Sequence, residues 1–368
     1  MAKKSLPKKM DINTNNMDSF GWKTEEPAGF QSLKSALIAY FETYNSTLHS
    51  HPILSLVGLK KRRKFEIDEF KTLYFTCITH FQHFFEFILK EYLTRINPIL
   101  ATKFDQKGFK NVYLAISGRS GSSTSTESFS IEFSDALDRL LELRKIDPSN
   151  AVITEISFLL DKADILKTLN MLRNRIWHKS LFFLRYHDLD LFMGQHILPL
   201  VKEIMALTNY SKQRWKHKPL YCKKDPIDEI IRICNLKRPS FEKIGLLKEM
   251  GRAAYKNPLI VFNNNSHSSW WHAFNSDKIK ECEARVEGIC KNIFPFSIYK
   301  CPVCGLKTLI KYEFFDWVDG EDADGNECQI DVTRPDKLYC ENCSFYIKDN
   351  IKNLSLIGIK EKKFWDQH

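Results

Sequence analysis

Apolar positions in the N-terminal half of the chain recur every three to four residues, which predicts a series of amphipathic helices. The most strongly apolar segment is 68–93, where Phe, Tyr, Leu and Ile occupy most of the helix circumference. A helix that is apolar on nearly every side must be covered by neighbours. We therefore predict that this helix lies at the centre of a bundle. Further helices are predicted at 31–48, 136–144, 165–183 and 197–207.

The helical pattern is interrupted between 111 and 133. Two short runs there, 112–116 and 129–133, have the composition of β-strands, and the segment between them is rich in Ser, Thr and Gly. We expect a short β-hairpin inserted into the helical domain.

The region that follows the bundle is helical and basic. Helices are predicted at 226–236, 240–255 and 276–292. Residues 201–260 contain fourteen Lys or Arg and six Asp or Glu, a net charge of +8, within a chain whose total is +10. Such a block attracts polyanions, and it is equally typical of a solvated helical surface. Both interpretations stay open from the sequence alone.

Two Cys-x-x-Cys pairs near the C-terminus carry the sharpest chemistry in the sequence. They are Cys301 with Cys304 and Cys340 with Cys343, and Gly305 follows the first pair. Four thiolates at this spacing predict a tetrahedral zinc site, and the strand-like segments between the pairs predict a small β zinc ribbon. Four protein ligands leave no open position for water, so the predicted zinc is structural.

Composition bounds the class of protein. With 43% hydrophobic and 27% charged residues, the chain is typical of soluble globular domains. The sequence has neither a membrane-length apolar run nor the apolar core of a signal peptide, which favours a cytoplasmic protein that does not contact membrane. The predicted divisions are a flexible N-terminal arm (1–29), a helical domain (30–210), a basic helical middle region (211–295), the zinc ribbon (296–350) and a tail (351–368).

The predicted helix 165–183 carries three polar residues beside its apolar stripe. Asn174 and His178 are four positions apart and therefore lie on one helix face, and the long side chain of Arg173 can join them. Arg-Asn followed by three residues and His resembles the signature of HEPN domains. On the long preceding helix, Glu86 begins a segment, Glu86–Lys90, that is similar to an acidic patch in many of these domains.

The resemblance implies a mainly α, HEPN-like helical bundle with the activity of a metal-independent endoribonuclease. In such an enzyme the 2′-hydroxyl of RNA attacks the adjacent phosphate, so no metal is required for catalysis. His178 would act in proton transfer, and Arg173 would clamp the phosphate. Asn174 would orient His178 or the phosphate, and Glu86 would hold Arg173 in place.

The same resemblance implies partners. Two copies of the motif commonly face each other in this family, so we expect a homodimer through the motif-bearing helices, with RNA as the substrate. A role as a toxin or an antiviral defence effector follows by analogy, and such a role leaves room for a regulatory protein partner.

Two other classes of function remain. The chain could be a non-catalytic nucleic-acid-binding or sensor protein that uses the zinc ribbon and the basic middle region, where Trp270 and Trp271 are candidates for base stacking. The third class is a protein-interaction adaptor that uses the acidic loop within 316–327 of the ribbon.

Overall fold

The computed structural model describes residues 28–44, 64–103, 130–179, 184–213, 215–216, 220–256, 269–292, 297–321 and 327–348. This part of the chain is mainly helical, with one small antiparallel sheet at its C-terminal end. Most of the predicted N-terminal arm and the tail from 351 onward lie outside the described residues.

The bundle is built around its longest helix, as the apolar pattern predicts. Helix α1 (Ala28–Glu42) packs along α2 (Lys64–Ile96), and a 3₁₀ turn (Pro98–Ala101) follows α2. The later helices are α3 (Phe133–Ile146), α4 (Ala151–Glu155), α5 (Ser157–Leu160), α6 (Ala163–Lys179), α7 (Tyr186–Phe192), α8 (Leu198–Ala206), α9 (Pro226–Cys234), α10 (Phe241–Lys256) and α11 (Ser269–Asn292). A π-helical segment (Met193–Ile197) joins α7 to α8.

Helix α2 contacts α1, α3, α4 and α6, which explains its apolar composition. Its aromatic residues Phe81, Phe84, Phe85 and Tyr92 are fully buried. Burying one such side chain contributes about 1.5–3 kcal/mol. The central position of α2 therefore follows from the hydrophobic effect.

The core does not stop at the end of the bundle. Helix α10 packs against α1, and a β-carbon added to Gly251 would lie 2.6 Å from the ring of Phe41. Only glycine allows the two helices to approach this closely. The division into domains at residue 210 stays a prediction, although α10 contributes residues to the core that α1 and α2 form.

The predicted hairpin insertion falls mostly on residues 104–129, outside the described residues. The prediction of a second strand at 129–133 is wrong for residues 131–133, which the structure describes. Ser130 makes a single bridge to Thr102, and Phe133 is the buried first residue of α3. The apolar side chains of Ile131 and Phe133 belong to the helical core, so their alternation reflects burial at a helix start.

The C-terminal sheet has four antiparallel strands in sequence order. They are β1 (Ile298–Tyr299), β2 (Leu309–Glu321), β3 (Glu327–Cys340) and β4 (Tyr346–Lys348). The long hairpin of β2 and β3 has a register shift at Tyr312/Glu313. The centre of the predicted acidic loop, 322–326, lies outside the described residues.

An ion pair sits inside the helical core. Lys248 of α10 donates to Asp190 of α7 at 2.7 Å, and both side chains are completely buried. The ammonium group also lies 4.5 Å and 4.2 Å from the ring centroids of Tyr40 and Tyr186. Burial raises the pKa of Asp190 and lowers that of Lys248, and each charge opposes the shift of the other. The pair thus links α1, α7 and α10.

We predict that Lys248→Met destabilises the protein by about 3–5 kcal/mol, because the substitution leaves a carboxylate buried without its cation. Urea unfolding followed by circular dichroism measures the change. The double variant Asp190→Leu/Lys248→Met should recover most of the loss. Lys202→Met is the control, since Lys202 pairs with Asp228 at the exposed surface and should cost less than about 1 kcal/mol. Equal losses in the two single variants would contradict the prediction.

Candidate functional site

The four cysteines predicted to bind zinc converge in the structure. Cys301 and Cys304 precede β2, Cys340 ends β3, and Cys343 follows it; their sulfur atoms all lie within 4.8 Å of one another. The Sγ atoms of Cys301 and Cys343 are 3.5 Å apart, and those of Cys304 and Cys340 are 3.7 Å apart. Zn–S bonds of about 2.3 Å in a tetrahedron place sulfur atoms about 3.8 Å apart. The donor set therefore fits a four-thiolate zinc ion.

Each pair of cysteines sits on a tight turn. Gly305 has φ +79° and donates its amide to the carbonyl of Cys301 at 2.9 Å. Ser344 occupies the matching place in the second turn, with φ +57° and a 2.9 Å bond to the carbonyl of Cys340. The first turn uses the glycine that the sequence indicated, whereas the second puts serine in the left-handed region.

Burial and hydrogen bonding act in opposite directions on the charge of the sulfur atoms. Burial raises the pKa of the Cys301 and Cys343 thiols, so a bound dication would be needed to keep them deprotonated. The amide of Val303 donates to the sulfur of Cys301 at 3.4 Å, and the amide of Cys343 donates to the sulfur of Cys340 at 3.5 Å. These bonds stabilise negative charge on sulfur. With four protein ligands, the metal would hold the two turns together and have no place for substrate.

The second turn is tied to the helical core by charged side chains of α10. Arg252 donates to the carbonyl and the hydroxyl of Ser344, and it pairs with Glu249 at 2.6 Å. Glu249 also accepts the amide of Tyr346 at 2.8 Å. From α11, the guanidinium of Arg285 reaches the carbonyl of Glu341 at 2.7 Å. The ribbon is thus bonded to two helices of the middle region.

The first turn is held by backbone bonds from the segment that precedes α9. The amide of Tyr221 donates to the carbonyl of Val303 at 3.2 Å, and the amide of Cys222 donates to that of Pro302 at 2.9 Å. Cys222 is half-buried, and burial raises the pKa of its thiol. It lies beside the metal site without belonging to the four-sulfur cluster.

The residues of the motif Arg173-Asn174-x-x-x-His178 all belong to α6. The helix buries Leu166, Leu169 and Leu172 and leaves Arg173 and Asn174 half-buried. The guanidinium of Arg173 donates to the side-chain oxygen of Asn174 at 2.9 Å. His178 is in the last turn of α6, and its side chain lies outside the described residues.

Arg173 and Asn174 open onto a polar cleft of about 310 Å³ between α2, α6 and the start of α3. Helix α2 contributes Glu86 and Lys90 to the same cleft, and Glu132 lies on the wall formed by residues 130–134. This volume is at the small end of the range for ligand-binding pockets. The cleft brings together cationic and anionic groups that are more than eighty positions apart in sequence.

Glu86 lines this cleft but makes its hydrogen bonds along its own helix. Its carboxylate accepts the ammonium of Lys90 at 2.5 Å and the amide of Gln82 at 3.0 Å. Within the described part of the chain, the carboxylate of Glu86 bonds Lys90 and Gln82 and does not form the expected ion pair with Arg173. The side chain of Glu86 is 21% exposed, so its charge is partly screened by water.

Sequence reasoning did not single out Gln82, Asn170 and Glu132 as residues of the cleft. Asn170 precedes Asn174 by one helical turn on α6, and Gln82 precedes Glu86 by one turn on α2. Helical spacing was therefore a signal that could have found both. No such signal marked Glu132, because it precedes α3 and reaches the cleft through the tertiary fold.

Two histidines of α2 and one of α7 lie outside this cleft. The ring nitrogen Nδ1 of His83 lies 2.7 Å from the hydroxyl of Ser32 on α1. Burial, followed by the neighbouring His83, lowers the pKa of His80. His187 on α7 is stacked on Phe241 with ring centroids 3.9 Å apart, and burial lowers its pKa too.

Comparison with known proteins finds no family model, no curated protein and no solved structure that matches the chain. Among the described residues, the helices are all too short or too polar to cross a membrane.

We predict that the purified protein contains one zinc ion per chain by elemental analysis, held by the four clustered thiolates. Cys340→Ser should lose the ion in dialysis against a chelator, and its thermal midpoint should fall, because metal binding couples the two turns to folding. Cys290→Ser is the matched control, since that half-buried cysteine of α11 lies outside the cluster. Equal zinc content in Cys340→Ser and wild type would contradict the assignment.

Proposed function

We propose that the protein is a metal-independent endoribonuclease of the HEPN type. The observation that carries the proposal is the polar cleft, which is lined by Arg173 and Asn174 of α6 and by Glu86 of α2. These are the two segments on which the resemblance rests. They are far apart in sequence, so their meeting at one cleft is an independent argument for a common role.

The chemistry requires a proton acceptor, a proton donor and a cation. The 2′-hydroxyl oxygen of RNA forms a bond to the adjacent phosphorus, and the bond from phosphorus to the 5′-oxygen breaks. The 2′-hydroxyl proton passes to a base, and the leaving 5′-oxygen receives a proton. The products are a 2′,3′-cyclic phosphate and a 5′-hydroxyl. His178, four positions after Asn174 on α6, is the group we assign to proton transfer, since histidine titrates near neutral pH.

Arg173 is assigned to the phosphate. Its planar guanidinium can donate two parallel hydrogen bonds to phosphate oxygens and offset the charge that develops in the transition state. Asn174 accepts one N–H of this guanidinium at 2.9 Å and so restricts its orientation. Glu86, bonded to Lys90, places a negative charge on the wall that faces Arg173. We assign it the role of orienting the Arg173 guanidinium across the cleft through this charge, with no direct bond to Arg173 or to RNA.

We predict that zinc-loaded protein cleaves RNA in the presence of EDTA and leaves cyclic phosphate ends. Arg173→Ala should lower the rate about 10²–10³-fold through the loss of charge stabilisation. His178→Ala should lower it about 10²–10⁴-fold through the loss of proton transfer. The measurement is gel analysis of labelled RNA with end-group identification, with the zinc content of every sample determined in parallel.

The matched control is Arg175→Ala, which removes the same charge from the same helix, two residues away, and should retain the wild-type rate. Equal melting temperatures for all variants would exclude unfolding as the cause of a loss. Cleavage that is unchanged in Arg173→Ala would overturn the assignment. Salt-dependent RNA binding with no cleavage by any sample would favour the non-catalytic sensor instead.

We further propose that two copies form the active unit through their α6 helices. Met171 of α6 is 41% exposed, although it lies within the motif-bearing helix. An apolar side chain at this place suits a contact between two copies of the helix, which would bring two copies of His178 together, since His178 is two helical turns after Met171 on the same face.

Light scattering at micromolar concentration should give about twice the chain mass of 43.2 kDa. Met171→Glu should shift the mass toward that of a monomer, because the contact would then bury two like charges. Leu236→Glu, at a 47% exposed apolar position that follows α9, is the control and should stay dimeric. A monomer in the wild type would contradict the dimer and leave the cleavage assay as a separate test.

A further inference from the structure

An exposed tyrosine stands beside the first metal-binding turn. The side chain of Tyr221 is 53% exposed, in contrast to the fully or nearly fully buried tyrosines of the helical core. Among the described residues, Trp317 on β2 is the other large aromatic with comparable exposure, at 67%. A single exposed ring is common on protein surfaces, so the case for a binding contact depends on what surrounds Tyr221.

The position of Tyr221 is restricted by its backbone and by Gly305. Its backbone amide is bonded to the carbonyl of Val303. One side of the ring lies against Gly305, where a β-carbon would come within 2.7 Å of it. The turn continues through Lys223, which has φ +58° and donates its amide to the carbonyl of Leu220 at 2.8 Å. A preformed ring loses little freedom when a ligand stacks on it.

One lysine lies close to this ring, and three more are within a few residues of Tyr221 or Gly305 in the chain. The ammonium group of Lys300 lies 5.7 Å from the ring centroid. Lys223 and Lys224 follow the tyrosine closely in sequence, and Lys307 is two residues beyond Gly305; all four lysines are exposed. Within the described part of the chain, none of the four lysines forms an ion pair.

The nearby carboxylate is already engaged. Asp225 accepts the ammonium of Lys216 at 2.6 Å and caps the first turn of α9 through the amides of Ile227 and Asp228. Asp228 itself pairs with Lys202. Because Asp225 and Asp228 are paired elsewhere, Lys300 beside the ring and the three exposed lysines near it in the chain keep their charge available to a ligand.

We propose that Tyr221 and these four lysines form a platform that binds a nucleotide of single-stranded RNA. The exposed face of the ring stacks on a base, and the lysines contact the flanking phosphates. An aromatic face next to several cations is the combination that single-stranded nucleic acid requires. The inference rests on the proposed function, since it identifies how that enzyme would hold its substrate outside the cleft.

The test measures binding without cleavage. A fluorescent single-stranded 2′-O-methyl RNA lacks the attacking hydroxyl, so its fluorescence anisotropy reports affinity for the full-length, zinc-loaded protein. Tyr221→Ala should weaken binding about 5–150-fold, as expected when one base no longer stacks on a ring. Tyr221→Phe keeps the ring and should bind like the wild type. Trp317→Ala, an exposed aromatic in the acidic part of the hairpin, is the matched control and should have no effect.

The lysines are tested by salt dependence. The double variant Lys223→Ala/Lys224→Ala should reduce the slope of log affinity against log salt by about 0.7 for every phosphate that the wild-type lysines neutralise. A control pair on the bundle, Lys71→Ala/Lys145→Ala, should leave the slope unchanged. Zinc content equal to that of the wild type would show that Tyr221→Ala has not simply opened the metal site.

Binding that is equal in wild type, Tyr221→Ala and the lysine variant would overturn the platform, as would the absence of any binding. Loss of binding in these variants, in a protein that never cleaves RNA, would support the platform and refute the endoribonuclease. Cleavage that depends on Arg173, together with RNA binding and cleavage that do not depend on Tyr221, would support the endoribonuclease and refute the platform. The two proposals can therefore fail separately.

Discussion

The fold depends on a row of buried charges on α10. Lys248 meets Asp190 inside the helical core, and on the same helix Glu249 and Arg252 meet the backbone of the second metal-binding turn. A buried charge without a partner costs several kcal/mol, so each contact restricts the position of α10. Helix α10 must therefore pack both against the aromatic rings that surround Lys248 in the bundle and against the backbone of the ribbon. This constraint places the turn of Cys340 and Cys343 against α10.

The central helix α2 is the second element that fixes the arrangement of the bundle. One part of its surface buries aromatic side chains against α1, and another presents Glu86 and Lys90 to the cleft opposite Arg173. A helix that is buried over most of its circumference cannot rotate without exposing apolar surface, so the polar residues at its rim are held in direction as well as in position. The cleft thus owes its shape to the packing of α2.

Local signals were sufficient for several features. Helical periodicity located α2, α6, α9 and α10, and the spacing of the cysteines identified the four sulfur atoms that cluster, because paired Cys-x-x-Cys turns are typical of metal sites. The alternation of apolar and polar residues at 129–133 predicted a strand, but Phe133 is the buried first residue of α3, and a buried helix start can have the same short pattern as a strand. Resemblance selected Arg173, Asn174 and Glu86 as one group, and the structure lines one cleft with them. It did not anticipate that the carboxylate of Glu86 bonds Lys90 and Gln82.

The sequence by itself determined the longer helices, which helix is central and which four sulfur atoms could hold a metal, since these follow from spacing along the chain. It did not predict the short helices α4, α5 and α7. Only the tertiary structure decided that Lys248 is a core residue, because its partner Asp190 is 58 positions away and the sequence of α10 shows merely one lysine among several. The same holds for the exposed ring of Tyr221 against Gly305 and for Glu132 at the cleft. Burial, ion pairing and the meeting of distant segments depend on how the elements pack, and side-chain type along one segment does not encode that packing.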